Sequence, residues 1–343
     1  MNAICIADLT LRRSLESETE MSNLRVFLAS VSAIVLFLFG LEGFSHELQR
    51  MGGKTISKWL GKLTQSRWRG MLLGAMATAI IQSSSAVTSL TVALADAGSI
   101  SFRSSLGILL GTNVGTTSTA WLVSLKLTSI GPFFIVFGAL LSALPIRLKM
   151  LGKVAFYFGF IFFSLDVVSF TLKPLAESPV FIEVLSRSRT PLAGVIAGLL
   201  ITAIVQSSSI TTGLCILLVQ QNLMPATAAI PIVIGANIGT TTTALIASIK
   251  MQNTARRVAL ANLCFNVLGV LLFLPFLRTF ALRAVQIASD PGMAVAWSQL
   301  IFNLVMVFVV LVLLRLFHRQ VESLGTNASP ELVSETSPYL DTE

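Results

Sequence analysis

Thr78-Ala79-Ile80-Ile81-Gln82-Ser83-Ser84-Ser85-Ala86-Val87-Thr88 lies in the middle of an apolar run from Gly70 to Gly98, and Thr202-Ala203-Ile204-Val205-Gln206-Ser207-Ser208-Ser209-Ile210-Thr211-Thr212 repeats it 124 residues later. The register holds without a gap through Gly74 and Gly198, Gly111 and Gly235, Asn113 and Asn237, and Gly115-Thr116-Thr117 and Gly239-Thr240-Thr241, to Lys126 and Lys250. About 22 of roughly 57 aligned positions are identical, far more than two unrelated windows share, so the chain contains a duplicated unit. A lone serine in a membrane helix ordinarily packs against a neighbour or bonds back to its own backbone. A repeated Gln-Ser-Ser-Ser cluster needs more than that, because each polar group left unpaired in hydrocarbon costs on the order of several kcal/mol.

The composition of the whole chain identifies the solvent around those serines. Of 343 residues 54% are hydrophobic and 12% charged, with a mean hydropathy of +0.82, which describes a polytopic membrane protein. A net charge of +8 would suggest nucleic acid in a soluble protein, but here Lys and Arg gather in short connections between apolar runs, where they orient spans; no nucleic-acid partner is expected. Cys5, Cys215 and Cys264 are too scattered for a disulfide framework, and no metal-ligand spacing occurs. Residues 1–22 lack the apolar core and small-residue cleavage site of a signal peptide, and Met21 offers a second start.

About 20 apolar helical residues cross a ~30 Å hydrocarbon core. On that measure the expected fold is all-α, with an N-terminal tail at 1–25 and two repeats. Repeat 1 (26–145) holds a span at 26–44, a basic amphipathic helix at 46–69 in the interface, a re-entrant helical hairpin at 70–98, a transmembrane helix at 102–125 broken around Gly111 to Thr117, and a plain span at 128–144. Repeat 2 (154–281) replays it with a span at 154–172, a connector at 173–189, a hairpin at 191–222, a broken span at 223–249 and a span at 258–281. A final span at 298–317 and a polar, disordered tail at 321–343 follow.

Parity relates the copies. If each hairpin contributes no net crossing, three crossings separate equivalent points and the repeats have inverted topology; were 70–98 a straight span the copies would be parallel. The inverted assignment also collects most of the 24 Lys and Arg on one face, which is then the cytoplasmic one.

Two inverted hairpins would bring their hydroxyl clusters together at mid-depth. Half-helix N-termini point N–H groups at an anion, unwound carbonyls face a cation, and hydroxyls serve both. Neither motif contains Lys or Arg, so a dehydrated anion there would need co-bound cations to neutralise it. Glu42 and Asp166 stand at repeat-matched positions in chain segments almost free of acids; they are either interfacial residues at span ends or participants in cation binding or gating. Ser45 and Ser169, also repeat-matched, lie near span ends and are expected to contribute little.

The paired Gln-Ser-Ser-Ser motifs with Gly-x-Asn-x-Gly-Thr-Thr resemble the sodium/phosphate cotransporter family, type II, with its bacterial members, over about residues 26–317. The resemblance implies a secondary active transporter, a sodium-coupled symporter of inorganic phosphate working by alternating access, multi-pass in the cell inner membrane, with co-transported sodium and no organic cofactor. It implies that Gln82, Ser83, Ser84, Ser85, Gln206, Ser207, Ser208 and Ser209 touch phosphate, and that Thr88, Asn113, Thr116, Thr117, Thr212, Asn237, Thr240 and Thr241 help to hold sodium. It is compatible with a homodimer. Many bacterial relatives append a C-terminal regulatory domain, where this sequence has a short tail; animal members that move net charge carry an acidic residue where this chain reads Ser129-Ile130-Gly131. Animal relatives also place the loop between the units outside, opposite to the side the charge pattern gives here.

Two rival classes remain distinguishable. A membrane enzyme is poorly served, since His46 and His318 lie at span ends and no Ser/His/Asp set falls at mid-depth. An anion channel could be lined by repeated hydroxyls. Another tetrahedral oxyanion, such as arsenate, would fit the same donors.

Overall fold

In the computed structural model, which describes residues 2–63, 66–125, 127–144, 148–176 and 190–325, the chain is almost wholly helical, and no strand occurs among those residues. The helices are α1 (Asn2–Leu63), α2 (Arg67–Ile81), α3 (Ser84–Asp96), α4 (Phe102–Gly115), α5 (Thr117–Ser124), α6 (Gly131–Ala143), α7 (Lys149–Ala176), α8 (Pro191–Val205), α9 (Ser208–Gln220), α10 (Ala226–Ser248), α11 (Asn253–Phe273), α12 (Leu277–Ile287) and α13 (Pro291–Gly325). Five stretches are long and apolar enough to cross a membrane: Leu28–Lys62, Lys149–Thr171, Ala226–Ser248, Asn253–Ile287 and Pro291–Leu313. Phe133 and Leu140 on α6, Phe170 on α7, Ile204 on α8 and Phe308 on α13 keep more than half of their surface outside the core, as residues bathed in lipid do.

The duplication is visible in the packing. α2 lies along α4 and α8 along α10, and four of the glycines that permit the close approach correspond, Gly70, Gly74, Gly111 and Gly115 with Gly194, Gly198, Gly235 and Gly239, while Gly107 is matched by Pro231. A Cβ at Gly111 would run into the carbonyl oxygen of Met71, and one at Gly235 into that of Val195, its counterpart 124 residues on. The copies then cross over: the second arm of the first hairpin, α3, packs on α10, while the second arm of the second hairpin, α9, packs on α5. A core of Phe37, Phe162, Ile216, Leu217, Ile230, Ile234 and Phe302 ties α1, α7, α9, α10 and α13 together, and α6 packs outside on α7.

Several boundaries differ from those expected. Residues 2–63 form one helix, so neither a separate tail at 1–25 nor a separate amphipathic helix at 46–69 occurs: Gly52 and Gly53 cost helix stability without forcing a break, and Arg67 and Arg69 open the hairpin behind the N-cap Ser66. α4 and α5 meet at Thr116, which keeps helical dihedrals (φ −59°, ψ −26°) and donates its N–H to Thr112 O, and α10 runs unbroken through Gly235-Ala236-Asn237-Ile238-Gly239, where broken spans at 102–125 and 223–249 were expected. Those glycines serve contact with α8 rather than unwinding. The span expected at 128–144 is a 3₁₀ turn plus the 13-residue α6, and that at 258–281 is interrupted by a 3₁₀ turn containing Pro275 and continues as α12. α13 begins at Pro291 and continues to Gly325, through the first residues of the expected tail; the rest of that tail and most of the connector at 173–189 lie outside the described residues.

Candidate functional site

Each hairpin turns on a Gln-Ser pair. Gln82 (φ 58°, ψ 28°) and Gln206 (φ 58°, ψ 23°) close α2 and α8 in the left-handed conformation, their N–H groups donating to Thr78 O and Thr202 O. Ser83 and Ser207 are extended and cap α3 and α9, their Oγ atoms accepting from the amides of Ala86 and Ile210. The third residues, Ser84 and Ser208, are buried, and among the described residues neither hydroxyl finds a partner. The first three residues of the repeated tetrapeptide are thus a chain reversal, a cap and a free hydroxyl. Two helix N-termini, each with amides that have no intrahelical acceptor, open at these tips.

The two tips meet. Ser85 Oγ donates to Gln206 O at 3.2 Å, and Thr119 Oγ1 donates to Gln82 Oε1 at 2.9 Å while lying 3.4 Å from Ser209 Oγ. Gln82 Nε2 donates to Ser118 Oγ at 2.9 Å and to Ala79 O. Ser45 Oγ reaches the carbonyls of Ile81 and Gln82 at 3.2 and 3.3 Å. Ser45, expected from its place near a span end to contribute little, is thus in contact with the first tip. Segments 78–88, 111–119, 202–212 and 235–243 contain no charged side chain.

The halves are not equivalent. The Gln82 side chain is tied to α5 through Ser118 and Thr119, whereas Gln206 is exposed and Thr243, the counterpart of Thr119, keeps a buried Oγ1 without a partner. Thr202 and Thr211 share a hydrogen bond of 2.8 Å, but in the first copy position 87 is a valine and Thr78 Oγ1 is left unpaired.

The candidate cation ligands lie on the helices around the tips. Thr88 and Thr212 are buried on α3 and α9, and Thr212 Oγ1 is unpartnered. Asn113 and Asn237 are buried on α4 and α10; Asn237 bonds back to Val233 O and Ile234 O, whereas Asn113 Nδ2 has no partner. Thr116, Thr117, Thr240 and Thr241 donate to carbonyls three or four residues earlier in the chain, leaving their oxygen lone pairs as acceptors. Glu42 and Asp166 are exposed on α1 and α7 and make no bond to a tip residue.

Sequence reasoning passed over two groups. Glu47 is 5% exposed and pairs with Lys153 at 3.4 Å and Arg50 at 3.5 Å, beside a cavity of about 280 Å³ lined by Ala139, Ser142, Phe156 and Tyr157. Gln299 and Asn303 on α13, and Asn262 and Asn266 on α11, are buried amides at a spacing of four. That spacing inside apolar runs was the available signal.

A multi-pass helical protein whose uncharged hydroxyl-lined hairpin tips converge among packed helices is a membrane transport protein. The chain belongs to the Na+/Pi-cotransporter family, whose model matches residues 36–170 and 172–325. It is 33% identical over 303 residues to "Uncharacterized protein YqeW" of Bacillus subtilis (strain 168), covering 87% of this chain and 98% of that one. It is 26% identical over 285 residues to "Putative inorganic phosphate export protein YjbB" of Escherichia coli (strain K12), covering 82% of this chain and 52% of the relative, so that it spans about half of that protein's length. Over 135 residues, 36% of this chain and 21% of the relative, it is 36% identical to "Sodium-dependent phosphate transport protein 2A" of Rattus norvegicus. No solved structure matches the chain. Family membership supports phosphate transport and implies sodium as a co-substrate.

Proposed function

We propose that this protein is a secondary active transporter that moves inorganic phosphate across the cell inner membrane by sodium-coupled symport, alternating access between two inverted repeats. The observation that carries the reading is the meeting of the tips, through Ser85 with Gln206 O and Thr119 with Gln82 and Ser209. Ser84, Ser85, Ser208 and Ser209 donate to phosphate oxygens; Gln82 and Gln206 set the turns and close on the ligand; Ser83 and Ser207 hold the two helix N-termini toward it. Thr88, Thr212, Asn113, Asn237 and the Thr116-Thr117 and Thr240-Thr241 pairs provide neutral oxygens for sodium. With no basic side chain in the motifs, sodium supplies the neutralising charge. The tied Gln82 and untied Gln206 favour alternation, since a site that opens to one side at a time makes unequal contacts with its two halves. Glu42 and Asp166, outside the cluster, are assigned to the membrane interface.

Purified protein in proteoliposomes tests this. An inward sodium gradient should drive saturable accumulation of labelled phosphate, and choline or potassium should not replace sodium. Non-saturating flux at the same rate in choline would indicate a channel. A second reading is favoured by the name of the Escherichia coli relative, namely export. Reversing the sodium gradient separates the two: a symporter follows the gradient in both directions, whereas an exporter releases phosphate from only one face.

A further inference from the structure

We infer that the last helix adds a cation site outside the duplicated motifs, formed by the side-chain oxygens of Gln299 and Asn303 where α13 meets α4 at Asn113. The inference rests on the sodium-coupled reading above and extends it to residues that the repeats do not contain.

Ser298, Gln299 and Asn303 are 1%, 1% and 0% exposed, in a stretch, 291–314, that carries no charge. Four of their polar atoms have no partner among the described residues: Ser298 Oγ, Gln299 Oε1, Gln299 Nε2 and Asn303 Oδ1. Buried polar atoms are rarely left so, and a run of them in one place marks a ligand or water. Asn303 Nδ2 donates to Asn113 O at 2.8 Å, and an amide facing a carbonyl must present its nitrogen. Its oxygen therefore turns away from that backbone, free to accept. Gln299 stands one helical turn earlier on the same face of α13 with its own oxygen free. Asn113, already a candidate ligand, lies at the same crossing; its unpartnered Nδ2 is a donor and holds no cation, so the site rests on the oxygens of Gln299 and Asn303.

Hard oxygen donors without a carboxylate suit a singly charged alkali ion, because divalent cations recruit ionised Asp or Glu. The duplication gives no account of these residues, since α13 follows both copies. A cation here would reach α4 on the side of Asn113 and so link the last helix to the polar segment that ends at Thr116.

The test is thermal unfolding of the purified full chain in phosphate-free sodium chloride or choline chloride, followed by tryptophan fluorescence. Trp297 precedes the site directly and packs edge-on against Trp121 at 4.7 Å, so the probe is in place. Sodium should raise the Tm of the wild type saturably. Gln299→Leu removes two unpartnered atoms, so it should melt higher than wild type in choline, yet its sodium half-saturation should rise about tenfold. Gln299→Glu, which adds a carboxylate, should shift that half-saturation to lower sodium. If Gln299→Leu raises Tm equally in both salts with an unchanged sodium curve, the amides hold water or nothing, and the α13 site is wrong while sodium coupling stands. If sodium changes neither the Tm nor the phosphate affinity of the wild type, the coupled reading fails and this site fails with it.

Discussion

A glutamine with φ 58° is costly, since side chains other than glycine pay a steric penalty in the left-handed region. Gln82 offsets that through bonds to Ala79 O, Ser118 and Thr119. Gln82→Gly should therefore fold normally, because glycine accepts the turn, but lose those bonds and reduce phosphate affinity; a variant with unchanged affinity would reassign Gln82 to the turn alone. Ser84 and Ser208 bear the clearest prediction. A hydroxyl bonded to a charged ligand contributes roughly 1.5–3 kcal/mol, so Ser84→Ala or Ser208→Ala should weaken phosphate binding about tenfold or more in equilibrium binding assays. Most of this could be read from the sequence, because a Gln-Ser-Ser-Ser cluster found twice in apolar surroundings must find bonding partners at that depth. Ser45 could not: its bonds to Ile81 O and Gln82 O depend on where α1 passes the hairpin.

At the scale of the element, a glycine in an apolar helix can mark either an unwound segment or a close contact, and the sequence is the same for both. In both copies they mark close contact: Gly111 and Gly115 lie against α2 as Gly235 and Gly239 lie against α8, and Thr116, between α4 and α5, keeps helical dihedrals. Gly235→Ala should then act as overpacking, costing roughly 1–3 kcal/mol or more in thermal unfolding. Gly53→Ala, whose Cβ would meet nothing within 4 Å, should be neutral or stabilise by up to about 1 kcal/mol. Equal effects at the two positions would contradict the close-contact account. Helical phase likewise explains why Glu42 attracted notice and Glu47 did not. The repeat matches Glu42 with Asp166, but it is Glu47 that turns inward to Lys153 on α7.

For the whole molecule, the crossed packing of α3 on α10 and α9 on α5 sets each hairpin against a helix of the other copy. Phosphate and sodium should accordingly bind as linked ligands, each raising the other's affinity by one common factor. Equal phosphate affinity in sodium and choline would remove the coupling. The overall class and the duplication could be read from the sequence because both leave periodic marks. The contribution of α13 was marked only by the spacing of four between Gln299 and Asn303, which the 124-residue repeat does not share.

The central claim is that the two tips form one phosphate site, and the double-mutant cycle on Ser84→Ala and Ser208→Ala tests it most directly. Phosphate affinity measured at saturating sodium should show strongly non-additive losses, since both hydroxyls address one ligand. Additive losses, with sodium dependence unchanged and the protein folded, would place the two serines at independent sites and contradict the account.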